Sequence, residues 1–235
     1  MTGEERARFA EALRFALDAH GDQKRRGTQI PYVSHLVQVA GSVLEHGGDA
    51  EQAIAGLLHD ALEDCEGVSE AGLRAEFGPE VARIVRAVSD VVEGDTPSRK
   101  SPWLLRKRRF IAHLRVQDAR VRLVAGCDKL DNLRSLIADL HAEGVETLAR
   151  FRGTPPQIRW YYEEVRGALG SELPVRLVRE LDALVAELAR FVPEADPGAP
   201  GPAPRSRRSR TVRGADRGRP SRRAGRGARR AGPRR

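Results

Sequence analysis

Residues 57–66 read LLHDALEDCE, which sets His59 and Asp60 side by side and Glu63 and Asp64 one helical turn later. At that spacing Glu63 shares the helix face of His59, and Asp64 shares that of Asp60. The neighbours Ala55, Leu58 and Leu62 are apolar. An isolated carboxylate among them is costly to desolvate and needs a cation, a hydrogen-bond donor or a metal. His35 lies beside another apolar stripe in YVSHLVQVA, and Asp128 interrupts VRLVAGCDKL, a run otherwise headed for the interior. Taken singly, each has an ordinary reading as a satisfied core histidine or an ion-paired aspartate. Together, two imidazoles and two carboxylates on three core-directed helices form a nitrogen and oxygen set suited to a divalent metal. Glu63 and Asp64 would then overhang its open positions, where carboxylates can orient a water, take its proton or protonate a leaving group. The alternative is an exposed acidic helix end. The helix dipole disfavours negative charge there, so something local has to compensate, and a divalent cation would.

Two further segments carry candidate binding residues. The loop HGDQKRRGTQIPYVSH (20–35) places Lys24, Arg25 and Arg26 ahead of a glycine turn, which suits phosphate or nucleotide binding and equally a solvated loop. Asn132 follows Asp128 by one turn in DKLDNLR, placed either to hydrogen-bond a substrate hydroxyl or phosphate or to cap a neighbouring loop. Cys65 and Cys127 adjoin Asp64 and Asp128. Adjacent helical positions point about 100° apart, so both cysteines read as small buried fillers rather than redox sensors.

Helices must position these residues. Apolar spacing of three and four marks residues 4–20, then Leu36 to Leu44, then Ile54 to Leu62. A fourth helix is predicted from Ser69 to the Gly78-Pro79 break, and a fifth from there toward Val92. Trp103–Val116 is basic and amphipathic, 119–141 is the longest pattern, and 155–169 and 173–191 complete the set. No run alternates with period two for long enough to argue a sheet. The expectation is an all-α helical bundle over residues 1–192, followed by a disordered basic tail over 193–235.

Charge divides the same way. Fourteen arginines against two aspartates put +12 in residues 196–235, so residues 1–195 carry −4 of the net +8. The tail holds Arg, Gly, Pro, Ala and Ser and almost nothing to bury. It reads either as an arm for weak contact with nucleic acid or acidic partners, sensitive to salt, or as a solvated extension without a partner. The 40% apolar share supports a real core. No apolar run approaches the length of a membrane span, the N-terminus has no apolar signal-like stretch, and two cysteines are too few for a disulfide scaffold. A cytoplasmic protein is expected, with a possible homodimer through the C-terminal helices.

HDALED, with His35 upstream and Asp128 downstream, resembles the HD superfamily of metal-dependent phosphohydrolases, in the HDxxED form of RelA/SpoT-type alarmone hydrolase domains. HGDQKRRGTQIPYVSH is similar to the HxxQxR…G…PYxxH signature of that family, DKLDNLR to its DKLxN segment, and EFGPEVARIVRAVSD to the stretch between them; the likeness spans roughly residues 5–170. The chain departs from the pattern in PYVSHL, where a proline usually follows the histidine, and at Asp131, where His or Tyr is common. The resemblance implies an HD helical bundle in which His35, His59, Asp60 and Asp128 ligate one divalent metal, typically manganese. It makes Glu63 and Asp64 the catalytic acidic pair, sets Arg25 against a guanine base with Lys24 beside it, and puts Asn132 on the nucleotide. The implied reaction releases pyrophosphate from the 3′ position of (p)ppGpp, leaving GDP or GTP. Two other readings use the same residues: hydrolysis of another phosphorylated nucleotide such as NADPH, or a nucleic-acid-binding regulator acting through the basic tail.

Overall fold

A computed structural model of the chain describes residues 1–90, 94–96 and 98–193. Among these the structure is all-α, with ten helices, one 3₁₀ turn and two isolated bridges, Lys24 to Pro31 and Thr96 to Arg99. The expected disordered tail lies outside the described residues.

Helix α1 (Gly3–His20) starts at a capping box in which Thr2 accepts from the Glu5 amide and Glu5 returns the bond. Helix α2 (Val33–Glu45) and α3 (Ala50–Leu58) form the central pair, and α3 opens with the same device built from Asp49 and Gln52. Gly56 lets them approach closely: a Cβ there would stand 3.2 Å from Ala40 Cα. Nearly all of α3 is buried, between α1, α2, α6 (Pro79–Val88) and α8 (Ala119–Glu143).

The single helix expected through LLHDALED is broken. It stops at Leu58, passes through His59 and Asp60, and restarts as α4 (Ala61–Asp64), where the Glu63 and Asp64 amides bond to the Asp60 carbonyl. Helix α5 (Glu70–Phe77) is capped by the Ser69 side chain and ends at Gly78, whose φ of 93° turns the chain into Pro79, the first residue of α6. Helix α6 ends at Val88, short of the expected Val92, because Ser89 is already extended; its amide takes the Val85 carbonyl as the last helical bond. Residues 91–93 lie outside the described set.

Helix α7 (Trp103–Leu114) packs on α9 (Pro155–Leu169), and α10 (Val175–Phe191) lies along α8. At 25 residues α8 is the longest helix, about 37 Å at 1.5 Å per residue, and carries Asp128 and Asp131 on its buried face. A 3₁₀ turn, Val145–Arg150, links it to α9 and had no periodic signature in the sequence. No helix among the described residues is long and apolar enough to cross a membrane.

Candidate metal centre

Helices α2, α3 and α8 deliver His35, His59 and Asp128 to one buried point, their ligand atoms all within 4.8 Å of one another. His59 Nε2 is 3.5 Å from Asp128 Oδ1, and His35 Nε2 is 3.3 Å from the same oxygen. Asp60 completes the group, with Oδ2 at 3.0 Å from His59 Nε2 and 3.7 Å from His35 Nε2. Ligand atoms about 2.1 Å from a common ion are separated by similar distances.

The hydrogen bonds around the imidazoles fix which nitrogen faces inward. His59 Nδ1 donates to the Gly56 carbonyl at 2.8 Å, and His35 Nδ1 donates to Asp131 Oδ2 at 2.5 Å. Both Nε2 lone pairs are therefore left for the cluster, the arrangement that holds metal-ligating histidines in one tautomer. His59 Nε2 is buried with no hydrogen-bond partner. Burial opposes charge on His59, yet Asp60 and Asp128 raise its pKa well above the usual imidazole range. Asp128 is also buried; Lys129, at 2.5 Å, and His59 hold its carboxyl well below the usual carboxylate range. Such a concentration of lone pairs around an orphaned nitrogen fits a divalent cation. His35, His59 and Asp128, with Asp60 beside them, are the residues that would hold it.

The acidic pair beyond it is also partnered. Lys100 Nζ lies 2.9 Å from Glu63 Oε1 and 2.7 Å from Asp64 Oδ1. The compensation expected at this helix end thus comes from a lysine of the segment before α7. Arg106 Nη1 adds a contact to Glu63 at 3.3 Å and one to Asp90 Oδ2 at 2.7 Å. Burial tends to raise the carboxyl of Glu63, but Lys107 and Lys100 bring it below its ordinary value. Asp64 goes the other way, raised by burial and by the nearby Asp60 charge.

Of the three nucleotide candidates, two meet. Arg25 Nη1 is 3.1 Å from Asp131 Oδ2 and its Nη2 donates to Asn132 Oδ1 at 3.4 Å, while Asn132 Nδ2 donates to Asp128. Lys24 is exposed and pairs through its backbone with Pro31, with no side-chain partner among the described residues. The loop between them folds as a short hairpin whose tip, Gly27, sits against Arg150. Trp160, Tyr161 and Tyr162 belong to the core between α7, α8 and α9, where Tyr161 stacks under Lys107 and edge-on to Trp103.

Four partners escaped the sequence reading. Lys100 and Arg106 are 36 to 43 residues from the acids of α4 that they hold, and only the basic character of α7 hinted at Arg106. Tyr32 donates to Asp60 Oδ2 at 2.5 Å, and Gln23, inside the HxxQ segment, reaches Asp64 Oδ2 at 3.4 Å.

The family model of the HD domain matches residues 12–151. The chain belongs to the HD domain family. It is 35% identical over 142 residues to a probable guanosine-3′,5′-bis(diphosphate) 3′-pyrophosphohydrolase of Synechocystis, which covers 60% of this chain and 18% of that protein. The MESH1 guanosine-3′,5′-bis(diphosphate) 3′-pyrophosphohydrolase of Drosophila melanogaster is 35% identical over 133 residues, 55% of this chain and 70% of its own. This HD domain chain thus spans under a fifth of the Synechocystis relative and most of the Drosophila one. Among solved structures, a metazoan SpoT orthologue described as hydrolysing ppGpp matches with a TM-score of 0.61 at 28% identity, over 77% of this chain and 95% of that one.

Proposed function

We propose that this HD domain removes pyrophosphate from the 3′ position of (p)ppGpp in a metal-dependent hydrolysis. The observation that carries the reading is the placement of a lysine-clamped acidic pair, Glu63 and Asp64, one turn past the His59–Asp60 side of a four-residue N/O cluster. The Drosophila and Synechocystis relatives, named for this activity, support it. When bound, the divalent metal, which we take to be manganese held by His35, His59, Asp60 and Asp128, would supply Lewis acidity toward a phosphate oxygen and a water.

The chain's own residues supply the rest. Glu63, kept ionised by Lys107 and Lys100, accepts a proton from the attacking water. A new bond forms from that water oxygen to the 3′-linked phosphorus while the bond from phosphorus to the ribose 3′ oxygen breaks. Asp64, whose pKa is raised, returns a proton to the departing ribose oxygen. Two carboxyls pushed in opposite directions can thus divide the work of base and acid. Lys100 and Arg106 offset the negative charge that gathers on the phosphoryl oxygens. Arg25 and Asn132, joined to Asp131 and Asp128, line the approach on which a nucleotide would lie.

We assign the protein to the cytoplasm. The folded domain over 1–192 carries the activity in this reading. A weak contact of the arginine-rich segment with nucleic acid or acidic partners, and a homodimer, rest on composition and on the C-terminal helices.

The test is incubation of purified protein with manganese and ppGpp, following release of GDP and pyrophosphate, beside Glu63→Ala/Asp64→Ala. Turnover that vanishes in the double variant, with metal binding retained, is expected. Absence of turnover in the metal-loaded wild type would move the substrate to another phosphorylated nucleotide.

A further inference from the structure

A cavity of about 560 Å³ opens between α5, α6 and α7, with Arg106 but neither Glu63 nor Asp64 in its lining. Five arginines line it, Arg74, Arg83, Arg86, Arg106 and Arg109, against two carboxylates, Glu70 and Asp90. The charges are unequally spent. Arg83 is taken by Glu80 and Asp118, and Arg86 stands 3.9 Å from Glu70. Arg74 and Arg109 make no side-chain hydrogen bond or ion pair among the described residues.

The residue at the cavity floor is Arg106, only 5% exposed. Its Nη1 is committed to Asp90 and Glu63. Its Nε is buried without a partner. A buried guanidinium whose Nε is unpartnered, beneath two unpaired surface guanidiniums, is a donor set suited to phosphate oxygens. The volume falls in the range of small-molecule sites.

We propose that this cavity is a second anion site, for a small molecule that carries several phosphate groups. The site takes its ligand through Arg74 and Arg109 at the rim and Arg106 at the floor. Since Arg106 also holds Glu63, occupancy of the cavity and the position of Glu63 are linked through one side chain. The proposal does not depend on which substrate the metal centre takes.

Inositol hexasulfate is a suitable probe, because it carries clustered anionic oxygens, is not a phosphate ester and chelates divalent metal weakly. Its binding to the full-length, metal-loaded protein would be titrated calorimetrically at physiological ionic strength, where diffuse attraction is largely screened. Arg74→Ala/Arg109→Ala removes the two rim groups, both exposed and outside the core. Arg207→Ala/Arg208→Ala removes the same charge from the arginine-rich segment. Loss of about ten-fold in affinity or more in the rim variant, with the control within two-fold of wild type, is expected. Equal weakening in both variants would overturn the proposal by reducing it to net charge. Wild-type affinity in the rim variant would overturn it by placing the probe elsewhere. Coincident thermal melts of the three proteins exclude unfolding as the cause.

Discussion

Asp131 holds His35: its Oδ2 lies 2.5 Å from His35 Nδ1, and the same oxygen is 3.1 Å from Arg25 Nη1. One carboxylate therefore orients an imidazole of the candidate centre and anchors the arginine of the 20–35 loop. Residue 131 is also where the sequence departs from the family pattern. Asp131→Ala should weaken divalent-metal binding by about 10–100-fold, the usual cost of losing such a supporting bond. Calorimetric titration with manganese measures this. An unchanged affinity would mean that helix packing alone orients His35.

Lys100 bridges Glu63 and Asp64 from 36 residues away. Lys100→Met should lower turnover by about a hundred-fold, comparable to removal of one preorganised charge-stabilising donor, with metal affinity within a few-fold of wild type. Lys100→Arg should recover part of the rate. A kcat that stays at the wild-type value would leave Lys100 as a structural ion pair only.

Gly56 serves two ends. Its carbonyl accepts from His59 Nδ1, and its bare Cα admits the backbone of Ala40. In Gly56→Ala the new Cβ would meet Ala40 Cα at 3.2 Å and Ala40 N at 3.3 Å, both backbone atoms with little freedom to retreat. Overpacking costs about 1–3 kcal/mol, against about 1 kcal/mol gained in helix propensity. Net destabilisation of about 1 kcal/mol is expected in urea unfolding, together with weaker metal binding. A stabilised variant would show that α2 and α3 can separate without cost.

Glu80 accepts from Arg83 and from Arg120, which lower its pKa from 4.5 to about 2 despite partial burial. A carboxyl lowered in the folded state binds its proton more readily when unfolded. Its contribution is therefore complete above pH 4.5 and is lost as the pH falls toward 2. The stability difference between wild type and Glu80→Gln should shrink across that window. The pairs are partly solvated, so the difference should also shrink with added salt. A gap independent of pH would assign the effect to packing.

The helical architecture was legible because apolar spacing of three and four is a local property that survives in the sequence alone. The helix start at Ser69 and the Gly78-Pro79 break marked ends correctly for the same reason. Residues 59–60 were not legible as a break. LLHDALED has the period of one continuous helix, and the interruption follows from how His59 and Asp60 are held, His59 by the Gly56 carbonyl one turn back and both residues by groups on other elements, Tyr32, His35 and Asp128.

The residue types of the candidate centre, His35, His59, Asp60 and Asp128 with Glu63 and Asp64 beyond, were determined by the sequence, because metal-ligating and proton-handling groups are chemically distinct wherever they fall. Their convergence was decided by tertiary structure alone, since His35 and Asp128 lie about 90 residues apart in the chain. So were the partners that set their charge. Lys100, Arg106 and Asp131 are ordinary polar residues in the sequence, and only close approach within a poorly solvated interior makes their charges count.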